Sequence, residues 1–270
     1  MTDGLADLFP DGDFRFHLTL RRAEPAEFFR ARDLTGSVLA ERARWLASAP
    51  DQYAAATPEC ALLLREFAAL AAPWTGVPVS QGNPAFGVLP LLHRLGTALE
   101  PDLLFLTPDP DGQFRLRGGC LCFPTGWALT EKLGHTLEFI HAVVPGLNSA
   151  LGSPIHQFLS RLRPGPALLR DNWGIAASPE LNLHPERRIP APQLPASLER
   201  LWLRVEHQAL LALPDSRGIV FAIRIALHRL SDVAGTPAAQ GLRRALKTMP
   251  REVIAYKRVD QILPYLLNVL

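Results

Sequence analysis

Apolar positions change period several times along the chain. Over 26–70 they recur at three and four. Val38, Leu39, Arg42, Trp45 and Leu46 trace one helical pattern, and Pro58-Glu59 opens a second helix through Leu62, Leu63, Glu66, Phe67 and Leu70. Such helices are expected to cover a sheet, and another short helix is expected over 89–99. The period then falls to two, which predicts strands over 102–106 and 114–122 joined by the turn-forming run Pro108-Asp109-Pro110-Asp111-Gly112. Next, Thr130 is expected to cap a helix with the apolar face Leu133, Leu137, Ile140 and Val144, stopped by Pro145-Gly146. His141 falls on that face. Beyond it the pattern predicts a strand over 167–175, a proline-rich connection over 185–195, and two long strands over 201–211 and 218–226 hinged at Pro214-Asp215-Ser216-Arg217-Gly218. Helices over 237–248 and 259–270 close the chain.

Five strands, most joined by hairpin-like turns and accompanied by helices, predict an α+β fold with a mainly antiparallel sheet. No repeat and no long hydrophilic linker divides the chain. A single domain over 1–270 is therefore expected, with a mostly helical part over 1–100 packed on a core over 101–270. The 270 residues carry 28 basic and 26 acidic side chains, a net charge of +2 that gives no general attraction to nucleic acid or anionic membrane. The stretch 67–92 has no charged residue, but Pro73, Gly76, Pro78, Gly82, Pro84, Gly87 and Pro90 interrupt it, so it reads as a loop-rich segment and not a membrane span. Residues 1–13 carry acids without a basic and apolar leader pattern, which predicts a cytoplasmic protein. Cys60, Cys120 and Cys122 read as buried free thiols, since no second Cys/His pair stands at metal-ligand spacing.

The informative region is Gly118-Gly119-Cys120-Leu121-Cys122-Phe123-Pro124-Thr125-Gly126-Trp127, followed by Glu131-Lys132-Leu133-Gly134 and Ile140-His141-Ala142-Val143-Val144-Pro145-Gly146. Downstream come Arg170-Asp171-Asn172-Trp173, Arg204-Val205-Glu206-His207-Gln208-Ala209-Leu210, Leu213-Pro214-Asp215-Ser216 leading into Val220-Phe221-Ala222-Ile223-Arg224, and Tyr256-Lys257 before Pro264-Tyr265-Leu266-Leu267. In this order the segments resemble the haem-dependent oxidative N-demethylase family, well over about 100–270 and loosely in the N-terminal helices. Val143 departs from the pattern, which leads one to expect proline there. The resemblance implies a PAS-like fold in which an antiparallel sheet and a neighbouring helix enclose haem b with a histidine as axial ligand. It also implies oxidation of a small secondary amine by O2, with electrons from NADPH passed through a separate flavin/iron–sulfur reductase partner. On this sequence it points to Lys132, Trp127 and Asn172, with His141 and the strand arginines, as cofactor-binding residues.

Read from the residues alone, His141 could place a neutral imidazole nitrogen on iron while Leu137, Ile140 and Val144 exclude water; the alternative is a core histidine bonded to a backbone carbonyl. His135 is its nearest competitor. Arg170, Arg204 and Arg224 lie in predicted strands, where burial of an arginine calls for an anion, and haem propionates are one candidate. Trp202, Arg204, Glu206 and Gln208 share one strand face that could point at a ligand or be a solvated face carrying an Arg204–Glu206 ion pair. Glu206 is the candidate catalytic residue, a carboxylate able to hold a cationic amine or take its proton. With no Gly-x-Gly-x-x-Gly and no cysteine cluster, an enzyme built on this chain would draw electrons from a partner. A haem-based gas or redox sensor without turnover, and a haemless PAS-like binding module, remain open readings of the same residues.

Overall fold

The structure is a computed structural model that describes residues 5–9, 12–75 and 87–270. It is α+β, built on one antiparallel sheet of seven strands in the order β1-β5-β6-β7-β3-β4-β2. The strands are β1 (Arg21–Ala23), β2 (Ala54–Ala56), β3 (Asp102–Pro108), β4 (Phe114–Cys120), β5 (Ala167–Ala176), β6 (Trp202–Ala212) and β7 (Ile219–Arg229). The five long strands are the five expected from the period-two pattern, and the two additions are three-residue edges. β2 is Ala-Ala-Ala, which carries no strand signal of its own. It pairs with Gly118, Gly119 and Cys120 because β4 offers an edge that a backbone can approach closely. A Cβ at Gly118 would lie 2.6 Å from the Cys60 sulfur, and one at Gly119 2.6 Å from the Leu103 carbonyl, so this glycine pair is a packing requirement.

The helices are α1 (Pro25–Phe29), α2 (Ser37–Ser48), α3 (Pro50–Tyr53), α4 (Cys60–Thr75), α5 (Val88–Ala98), α6 (Leu137–His141), α7 (Leu147–Arg161), α8 (Leu230–Val233), α9 (Pro237–Thr248), α10 (Arg251–Tyr256) and α11 (Leu263–Val269). The uncharged stretch over 67–92 is helical at both described ends. α4 runs through Pro73 to Thr75, α5 starts at Val88, and the expected loop over 76–86 lies outside the described residues. The helix containing His141 is shorter than the apolar spacing predicts. Thr136, not Thr130, caps it by accepting the Phe139 N–H, and Leu129–Glu131 is a separate 3-10 turn. Pro145-Gly146, expected to stop a helix, also starts the next one: Gly146 takes φ +75° and caps α7. No helix among the described residues is long and apolar enough to cross a membrane.

Strand alternation divides the core. One sheet face carries Leu103, Phe105, Ala209, Leu211, Val220 and Ala222 against Phe29, Leu46, Leu64, Phe67 and Leu95 of the N-terminal helices. Farther along the same face, Ile175, Leu203 and Val205 pack on Leu242, Leu246, Val253 and Leu266 of the C-terminal helices. On the opposite face Leu104, Leu106, Leu210, Ile219 and Ile223 meet Leu137 and Ile140 of α6 and Ile155, Phe158 and Leu159 of α7. α6 and α7 cover only part of that second face. The remainder, on β5, β6 and β7, is where the polar residues collect.

Candidate functional site

The register sets three rows across β5, β6 and β7. Arg170, Gln208 and Ile223 form one, Asn172, Glu206 and Ile225 the next, and Gly174, Arg204 and Leu227 the third. Directly paired residues share a face, so Arg170, Asn172, Arg204, Glu206 and Gln208 all project toward the α6 side. Arg224 pairs with His207 in the alternate register and therefore lies on the other face. There it makes an ion pair with Glu100 and donates to the carbonyls of Phe28 at 2.7 Å and Arg30 at 3.2 Å. The sheet itself thus separates Arg224 from the other two strand arginines.

Arg204 is 1% exposed and its donors are committed to two loops. Nε donates to Thr125 Oγ1 at 2.9 Å, and the terminal nitrogens donate to the carbonyls of Phe123 at 2.9 Å, Leu181 at 2.7 Å and Glu180 at 3.2 Å. Burial lowers it to about 10 against the pull of Glu206 and Asp102. A guanidinium so engaged latches two loops together and has few donors left for another anion. Its loops are held from the other side as well. Asp102 accepts the Cys122 N–H at 2.7 Å and the Phe123 N–H at 3.0 Å while paired with the buried Arg42. Asn182, beside Leu181, donates to Tyr53 Oη at 3.0 Å.

The latch ends on Glu206. With one Thr125 lone pair engaged by Arg204, the hydroxyl directs its proton to Glu206 Oε1 at 2.6 Å. Oε2 accepts from Asn172 at 3.2 Å and Gln208 at 2.9 Å. Where one of the two readings of this strand face had a direct Arg204–Glu206 ion pair, a hydroxyl bridge stands between them. Glu206 is a half-buried carboxylate oriented by neutral donors, with its charge available to a cation.

One strand over, Arg170 is half-buried and makes no hydrogen bond or ion pair among the described residues. Burial lowers it, while Glu206 and Asp171 favour its charge. His141, at the end of α6, is half-buried and likewise without a hydrogen-bond partner among the described residues. Burial first, and the Arg170 charge second, hold it below the ordinary 6.5, so the neutral imidazole is favoured. His135 differs: it is exposed and stacks on Phe139 at 4.0 Å between ring centroids. His156 bonds the Gly112 carbonyl at 2.9 Å and His207 pairs with Asp171 on the far face. Lys132 stands 5.8 Å over the Phe139 ring, and Trp127 packs in the apolar cluster beneath α6 and α7.

These residues lie in a segment with a family assignment. A family model described as haem-dependent oxidative N-demethylase, alpha subunit-like, matches residues 75–267. The chain belongs to that family. The match spans α5 through most of α11 and takes in His141, Arg170 and Glu206. The N-terminal arm, α1–α3 and all but the last residue of α4 lie outside it.

The haem dependence named by the N-demethylase family can be set against the residues present. An imidazole held toward its neutral form, a guanidinium without a hydrogen bond among the described residues, and the apolar side chains Leu137, Ile140, Ile223 and Ile225 are the set that a flat apolar ring with an iron and two carboxylates would use. They fit the group. The sequence reading gave no role to Thr125, to Gln208 as a Glu206 partner, to Lys257, or to the arm over 14–20. In that arm Phe14, Phe16, Leu18 and Leu20 are half-buried in strict alternation before β1 joins β5. That alternation was available in the sequence as a strand-like signal.

Proposed function

We propose that the chain is a PAS-like haem b protein and the oxygen-using component of an N-demethylase. In this reading His141 would hold the haem iron through a ring nitrogen and Arg170 would meet a propionate. Lys132, Trp127 and Asn172 support the cofactor pocket, and Glu206 holds the cation of a small secondary amine. The observation that carries the proposal is that His141 and Arg170 make no hydrogen bond or ion pair among the described residues and lie on the sheet side where Glu206 is held as an oriented carboxylate. Bound haem would supply activation of O2, with electrons from NADPH through a separate flavin/iron–sulfur partner. The chain's own part is to present a neutral nitrogen, exclude water with Leu137 and Ile140, and fix the ammonium group through Glu206. Its carboxylate could also accept the proton that leaves the amine nitrogen. A hairpin, β3–β4, joined through β7 to the β5–β6–β7 meander supports the PAS-like reading. The Glu206 cup favours the enzyme over a gas sensor, which has no use for an oriented anion.

Hemin titration tests this reading. The protein should develop a Soret band at one haem per chain, and no band would refute it. His141→Ala should lose or loosen haem and regain the spectrum partly with added imidazole, while His135→Ala should match wild type. A reversal of the two would transfer the ligand role to His135.

A further inference from the structure

Ahead of β1 runs an arm, 14–20, that the family match does not reach. Phe14, Phe16, Leu18 and Leu20 are half-buried and Arg15, His17 and Thr19 exposed, the alternation of a strand. Yet residues 15–19 make no backbone hydrogen bond among the described residues. The backbone is tied at the two ends. The Phe14 N–H donates to Thr248 Oγ1 on α9 at 2.8 Å, and β1 pairs with β5. Phe14 and Phe16 pack on the C-terminal helices, but a Cβ on Gly146, the residue that opens α7 shortly after His141, would meet Phe16 Cε2 at 3.7 Å. Leu20 packs in the cluster of Leu137 and Ile140. The arm therefore passes around the β5 edge from the C-terminal helices to the α6 side.

Carried on past the Arg21–Leu169 pair, the β1 register sets Leu20 beside Arg170 and Leu18 beside Asn172, and residues so paired share a face. Asn172 in turn donates to Glu206. Partial burial of its ring, then the Arg170 charge, lowers His17, and burial and Arg170 lower His141 in the same order, so the guanidinium acts on the arm and on α6 alike. Leu18 packs in none of the three apolar clusters, so its apolar surface completes no core among the described residues. We infer that Leu18 is a cofactor-contacting side chain and that the arm over 14–20 is the wall that closes the haem cleft beside Arg170. The identity of the ligand rests on the proposed function; the course of the arm does not. A flat apolar ring whose carboxylates lie toward Arg170 has an edge on the open side of β5, and leucines there take that edge out of water. Because no ladder bonds fix 15–19, the wall can part from β5 to admit the ring and settle on it afterwards.

Hydrogen exchange of the whole protein, haem-free and hemin-loaded, tests the wall. In the haem-free protein the amides of 15–19 should exchange fast, and hemin should slow them about tenfold or more. A general gain in stability does not produce this, since amides without a hydrogen bond exchange from the folded state. Hemin release to excess apomyoglobin tests the side chain. Leu18→Ser removes no core contact and should release hemin roughly tenfold faster than wild type, whereas Thr19→Ala, at an exposed position, should release it at the wild-type rate. Amides of 15–19 that stay fast in a protein with a Soret band, or equal release from Leu18→Ser and wild type, overturn the inference and leave the haem reading standing. Failure of the wild type to develop a Soret band removes both.

Discussion

At the scale of single residues, the site depends on which hydrogen bonds are already taken. Thr125 is the clearest case, because Arg204 on one side leaves its hydroxyl proton only Glu206 to serve. A hydrogen bond to a charged group contributes about 1.5–3 kcal/mol. Thr125→Val should therefore weaken binding of a small secondary amine by roughly tenfold or more, read as a shift of the haem bands, while leaving haem content unchanged. Thr125→Ser should restore it. His141 gives a pH prediction whose sign follows from its environment. Burial and Arg170 disfavour the imidazolium in the folded state, so the folded protein binds this proton less readily than the unfolded chain. The associated stability is fully present above pH 6.5 and is lost as the pH falls through the depressed folded value. In the haem-free protein the His141 Cε1–H resonance should titrate below 6.5, and Arg170→Gln should move its midpoint upward. A midpoint indifferent to Arg170 would separate the two residues. His141, Arg170 and Glu206 were legible as residue types on strand and helix faces. The engagement of Arg204 was not, since its carbonyl acceptors over 123 and 180–181 lie far from it in the chain.

At the scale of elements, the five long strands and α9 were legible because their apolar period is uninterrupted and Gly/Pro turns bound them. The elements that escaped had other sources of order. α7 contains Gly152 and Pro154 and starts immediately after a stop signal, and β1 and β2 are edges recruited by the strands they pair with. Long-range pairing also decides how the site loop is held. Arg42 on α2 and Asp102 on β3 are both 0% exposed and meet at 2.6 Å, and Asp102 also accepts two amides of the Cys122-Phe123 turn. Burial raises Asp102, and Arg42 with those amides pulls it back toward the charged form. Asp102→Asn would leave Arg42 buried without its counter-charge, which costs about 3–5 kcal/mol. Urea unfolding should show a lower midpoint with an unchanged slope. Because the same turn leads to Thr125, amine binding should weaken as well. A variant as stable as wild type would mean that the pair contributes nothing net.

At the scale of the whole molecule, the sequence pattern leads one to expect a mostly helical part over 1–100 packed on a core over 101–270, but it does not show how the two join. The N-terminal part supplies both edges of the sheet, β1 beside β5 and β2 beside β4. It also covers the apolar face carrying Leu103, Phe105, Val220 and Ala222. Two further ties cross the same boundary: Arg224 with Glu100 and the Phe28 carbonyl, and Glu66 accepting the Asp215 and Ser216 amides at the β6–β7 turn. Residues 101–270 alone would expose two open strand edges and an uncovered apolar face, the conditions under which sheets aggregate. The 270 residues are therefore expected to unfold as one cooperative unit, with tryptophan fluorescence and far-ultraviolet circular dichroism following the same urea curve. Trp45 and Trp74 report on the helical part and Trp173 and Trp202 on the sheet, so single-tryptophan variants distinguish the two. Superimposed curves support a joint fold. An early transition at Trp45 or Trp74 would show that the helical cover leaves first, and the sheet core would then have to be stable without it.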